Sequence, residues 1–238
     1  MKRLLSFLTV LLLLVPTAVD ASSTQINNID INCQIDQNGT ATFVERWDME
    51  VSEGTEGYKI FNEMYDQPIT LIGVTDDRGV SYKNIGTWDS NVSRESKINK
   101  CGLIKDGGHY ELCYGLGDYG TRSYTMTYQI EHFVNQYKDQ QGINYAFMSD
   151  MSLDVGSVTI HVSGMTPYSK DNAKIWAFGY SGSVNFDNGG VTLKTDFLGS
   201  NKMQLLMGLE SNSYTSPNKR HASEKFADVV TDAKEGSS

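Results

Sequence analysis

Proline, cysteine and histidine are scarce in this chain, at four, three and four residues of 238. Three cysteines close one disulfide at most, so the chain is no cross-linked miniature scaffold and must be held by an apolar core. The histidines, His109, His132, His161 and His221, show no HExxH spacing and accompany no GxSxG elbow. No serine, histidine and acid set stands in a recognisable arrangement either, so the chain is read as non-enzymatic and without a cofactor. Positive charge is also short: 20 Lys and Arg face 29 Asp and Glu, for a net charge of −9. That balance argues against nucleic acid or anionic lipid as a partner. Long apolar runs are missing after residue 15, so no later segment of these residues reads as a membrane-spanning helix.

The one apolar run, residues 4–15, follows Lys2 and Arg3 and precedes the small residues Ala18 and Ala21. It is short for a bilayer span and has the pattern of a secretory signal peptide, so residues 1–21 are expected to be removed and to place the rest outside the cytoplasm. Cys33 lies too far along for lipoprotein attachment. Glycine, with 22 residues, marks turns between short stretches that alternate apolar with polar residues, the period of a half-buried strand. Ile29, Ile31, Cys33 and Ile35 share one phase; after the Asn38-Gly39 turn, Ala41, Phe43, Trp47, Met49 and Val51 share another. Further strands are predicted near residues 69–75, 80–83, 99–105, 109–116, 124–130, 158–162, 174–180, 183–186, 191–197 and 203–209. The expected fold is all-β: an antiparallel β-sandwich over residues 22–210, either single or two in series. A polar connector and a short amphipathic helix, capped by Ser223, follow in residues 211–238.

Few motifs in this frame carry chemistry. Gly115-Leu116-Gly117-Asp118-Tyr119-Gly120 matches GxGxxG, yet strands flank it on both sides, so it reads as a glycine-rich turn. Asp76 and Asp77 lack the further oxygen ligands of a calcium loop and read as turn residues. His109, Glu111 and Cys113 alternate on one strand face, which reads as an ordinary half-buried face and not a metal site. Glu45 is the exception, because its phase sets a carboxylate among Phe43, Trp47 and Met49, where desolvation demands a partner. It is a candidate binding residue unless a bulge turns it outward or backbone amides satisfy it. Trp176, Phe178 and Tyr180 give the next strand but a few an all-aromatic face, a second candidate surface if exposed and core packing if not. Cys101 and Cys113 are equally distant from Gly107, which predicts that they face each other across a hairpin at disulfide range, leaving Cys33 as a buried thiol.

Several stretches resemble a family of predicted membrane proteins, domain of unknown function 2207. They are residues 39–45, 123–134, 141–147 leading into 158–162, 174–180 and 225–236. The resemblance implies a signal peptide, an extracytoplasmic β-rich domain and then one or more membrane spans beyond Ser238; it implies no reaction and no catalytic residue. The expected function is a non-catalytic extracytoplasmic domain of a membrane-anchored bacterial envelope protein. Its partner would be another envelope protein or a glycan. The alternative is a carbohydrate- or peptide-binding module using the Trp176, Phe178 and Tyr180 face.

Overall fold

The two most strictly alternating stretches pair with each other. In the computed structural model, which describes residues 23–236, β1 (Gln25–Ile35) and β2 (Ala41–Val51) form a hairpin. Its turn closes at Gly39, whose φ of 84° is a left-handed conformation that glycine adopts without steric cost. Ile29 opposes Trp47, Ile31 opposes Glu45, and Cys33 opposes Phe43, all buried on one face. The expected signal peptide lies outside the described residues.

The chain continues through β3 (Glu56–Phe61), β4 (Ile69–Asp76), β5 (Lys83–Thr87), a single helical turn α1 (Arg94–Lys97), β6 (Lys100–Asp106), β7 (His109–Gly115) and β8 (Gly120–Ile130). There follow β9 (Asn135–Gln136), β10 (Gln141–Met148), β11 (Val155–Ser163), β12 (Ala173–Phe178), β13 (Ser183–Asp187), β14 (Gly190–Thr195), β15 (Met203–Leu209) and α2 (Phe226–Glu235). Seven strands in the order β13-β14-β11-β1-β2-β8-β4 make one sheet. Two four-stranded sheets, β3-β7-β6-β5 and β12-β15-β10-β9, share its inner face. Tyr114 of β7 packs on Tyr124 of β8 at 4.7 Å between ring centres, and Phe147 of β10 meets Phe43 of β2 at 6.1 Å. One apolar core joins all three sheets, so the all-β sandwich is single, with its second layer split in two.

Several expectations give way to the observed pairing. Two of the three sheets are mixed, since β1 runs parallel to β11 and β5 parallel to β6, while β12-β15-β10-β9 is antiparallel throughout; alternation tells which side chains face inward but not which way a neighbour runs. Residues 80–82 return beside the end of β4 as a single antiparallel bridge and not as a full strand, the Asp76 N–H donating to the Val80 carbonyl and the Tyr82 N–H to that of Val74. After a bridge from Thr75 to Ser81 the chain crosses to the smaller sheet as β5. Residues 211–221 are no loose connector, because Tyr214 and Asn218 are buried and the segment is bonded along its length. Tyr214 exchanges hydrogen bonds with the Gln141 amide side chain, and Asn218 bridges to Asn135. Ser223 does not cap α2; the Phe226 N–H donates to Asp139 Oδ1 at 2.9 Å instead.

Helix α2 docks through Phe226 and Val230, which are buried. Phe226 lies over Gly142 and Gly208, register partners in β10 and β15, where a Cβ would come within 2.8 Å and 3.1 Å of the ring. Only glycines at that pair let the ring approach so closely. Among the described residues, no helix is long and apolar enough to cross a membrane.

Candidate functional site

Glu45 stays in register in the middle of β2, with no bulge, and its side chain is fully buried on the inner face. Side chains, not backbone amides, satisfy it. Trp47 Nε1 donates to Oε1 at 2.7 Å, Lys59 Nζ to Oε1 at 3.0 Å, and the Tyr128 hydroxyl to Oε2 at 2.8 Å. Phe43 stacks on Tyr128 at 4.8 Å, and Phe61 meets the same tyrosine edge-on at 5.3 Å, so the carboxylate sits within aromatic walls. Burial, and after it the nearby carboxylate, push the Tyr128 phenol well above its ordinary range, which keeps it a donor. The arrangement neutralises a charge in the core and has no spare acceptor capacity directed at solvent.

Lys59 and its strand β3 are what the sequence reading missed. A signal was present: Lys59 shares its phase with Phe61, so a cation stands in the inward phase of one strand just as Glu45 stands in that of another. Lys59 Nζ also donates to the Phe147 carbonyl at 2.9 Å, tying the two smaller sheets together across their seam. That seam is open elsewhere. Among the described residues β3 pairs with β7 alone, and β10 meets β9 only at Gln141 and Gly142. A groove therefore follows the outer edge of β3. Its first part, a cavity of about 210 Å³, runs beside residues 56–60 over Trp47, Met49 and Phe147. Its second part, about 500 Å³ and more polar, runs beside residues 60–64 toward Asn144 and Tyr145. The two share Ile60, Ser149 and Asp150, and Glu45 lines neither. Residues 149–153 overhang the groove, held by Asn62, just after β3, donating to Asp150 at 3.2 Å and by Tyr58 of β3 donating to Ser152 at 3.4 Å.

The aromatic face does not form as the alternation suggests. Trp176 and Phe178 pack under α2, with Trp176 6.2 Å from Phe226 between ring centres. Gly179, at φ 87°, ends the alternation, and Tyr180 turns into the main core. No coplanar exposed platform results. The proposed bridge is also corrected: Cys101 opposes Tyr114 and Cys113 opposes Gly102, because Gly107 and Gly108 make a two-residue turn between Asp106 and His109. A register one residue away from the expected one sends the two sulfurs to opposite faces, and Cys33, Cys101 and Cys113 are all free and buried. Burial pushes the Cys101 thiol up to about 11. His109 bonds Glu111 at 3.0 Å and Asn62 at 2.8 Å, and among the described residues no three candidate ligands converge as a metal site. The GxGxxG stretch is the turn between β7 and β8, as read from its flanks. Asp76 is sealed from solvent: Oδ1 accepts the N–H groups of Arg78 and Val80 at 3.0 Å each, and Oδ2 accepts from Arg122 at 3.2 Å.

Fold and site together define a β-sandwich domain with a neutralised core ion pair and an open seam. The family described as the N-terminal domain of predicted membrane protein DUF2207 matches residues 25–203, and the chain belongs to it. No curated protein matches the sequence. Among solved structures, a candidate protease from Parabacteroides distasonis is similar at 9% identity and a TM-score of 0.46, covering 79% of this chain and 41% of that one. An M1 zinc metallopeptidase from Deinococcus radiodurans is similar at 9% identity and a TM-score of 0.38, covering 78% and 42%. This chain thus spans about two fifths of either protein.

Proposed function

We propose that the chain is the extracytoplasmic, non-catalytic domain of a membrane-anchored bacterial envelope protein. Its family is that of a predicted membrane protein's N-terminal domain, which supports membrane association. The charged run and apolar segment at residues 2–15 support export. The observation that carries the non-catalytic part is Glu45, the most conspicuous inward carboxylate of the sequence. Both its oxygens are occupied by core donors and neither faces the groove. A glycosidase would need such a group in an open cleft with a second carboxylate about 5–10 Å away.

Orientation is tested in cells with the natural gene product. The native thiols are buried, so a cysteine placed at the exposed Asn91 supplies a clean target. Asn91→Cys protein should fractionate with membranes and react with an impermeant maleimide in intact spheroplasts. Labelling only after lysis, or recovery in the soluble fraction, would overturn the proposal.

A further inference from the structure

The seam carries an inference beyond location. We propose that it binds an extended, basic peptide, which adds as a strand along the outer edge of β3 and seats an apolar side chain in the cavity over Trp47. The inference is independent of the export reading, because its test uses the purified chain.

Three observations converge on this ligand. First, β3 is an edge strand of six residues whose one strand partner among the described residues is β7. In an antiparallel ladder every second residue aims its N–H and C=O away from the partner, so this edge offers a row of groups suited to an added strand. Second, an apolar cavity lies beside that edge. Its volume of about 210 Å³ exceeds the ~150 Å³ that accepts a benzene ring and falls below the ~300 Å³ at which sites for drug-sized ligands begin, so it suits a side chain more than a free organic molecule. Third, the rim is acidic and uncompensated. Glu53 and Asp150 line this cavity and neither has a cationic partner among the described residues, while Lys59 is already neutralised by Glu45. With a net charge of −9 on the chain, this edge attracts basic flanks and repels a second copy of itself. A sugar is a poorer match, since Trp47 is 2% exposed and a sugar needs an open ring face to stack on.

The test titrates four labelled pentapeptides, each with Leu, Phe, Ile or Val at its centre and Lys or Arg on both flanks, into the purified chain. Fluorescence anisotropy reads binding, and amide hydrogen exchange reads where it occurs. At least one peptide should bind saturably and slow exchange in residues 56–60. Replacing its basic flanks by Glu should abolish binding, and N-methylation of alternate amides should do the same on the unaltered protein. The double variant Glu53→Lys/Asp150→Lys should weaken binding about tenfold, as expected for two rim charges. Leu153→Trp, which fills the cavity, should weaken it at least as much; thermal unfolding checks that both variants fold. Saturable binding by none of the four peptides overturns the proposal. So does equal binding of the N-methylated form, or affinity unchanged in both variants. Protection of β3 that grows with protein concentration and no peptide would identify a second copy as the occupant and reject a peptide ligand.

Discussion

Glu45 and Asp76 are both carboxylates sealed from solvent, and the molecule holds them in opposite ways. Glu45 lies mid-strand in the core, and each of its partners is a side chain from a residue two, 14 or 83 positions away. Asp76 lies at the end of β4 and takes two of its bonds from the turn that follows, at Arg78 and Val80, with Arg122 added from β8. The first is a tertiary solution to a local misfit; the second is a local turn reinforced from a distance. Local backbone donors come with the chain's own geometry, whereas Lys59 reaches Glu45 only after the two layers have packed.

The contrast breaks most sharply at Lys59. Lys59→Ala leaves the Glu45 charge buried without its cation, and a loss of about 3–5 kcal/mol is expected in denaturant unfolding. The double variant Glu45→Leu/Lys59→Met should recover most of that loss, because an apolar pair of similar size removes both desolvation penalties. A double variant as unstable as the single one would show that the pair does more than neutralise itself.

Asp76→Ala should cost less, about 2 kcal/mol. The two turn amides are near the surface, and Arg122 keeps Asp77 at 2.8 Å as a second partner. The same measurement checks it, and a loss equal to that of Lys59→Ala would erase the distinction between the two carboxylates.

The smallest effect belongs to a half-buried counterpart, Asp48 on the outer face of β2. Partial burial raises its pKa, but hydrogen bonds from Ser123 and Arg46 outweigh that and hold it below the ordinary value. A depressed folded pKa contributes stability that is present above the unfolded value of about 3.9 and is lost as pH falls through the folded one. Asp48→Asn should therefore lower stability by no more than about 0.5 kcal/mol at neutral pH, and the difference from the parent should vanish as pH falls through the depressed folded value. A difference that persists in acid would mean that packing, not charge, is responsible.

Much of the fold is legible in the sequence. Period-two alternation predicted the inward faces of β1, β2, β8 and β11, since each needs only its own residues to show which side is apolar. The same pattern marked Glu45 as inward, and the glycine-rich stretch after β7 as a turn. What residues on a single strand could not show was partnership. The Cys101 and Cys113 pairing failed by one residue because hairpin register depends on how many residues the turn consumes, and Gly107-Gly108 accommodates either count. The aromatic stripe at Trp176 and Phe178 looked like a surface until a helix some 50 residues later in the chain covered it. The lysine that answers Glu45, the mixed direction of the sheets and the seam along β3 each required two distant strands to be set side by side. Amino-acid order determines how each strand divides into an inner and an outer face; only the packing of one layer on the other decides which buried charge meets which, and which edge is left open, because those are properties of pairs of strands and not of any strand alone.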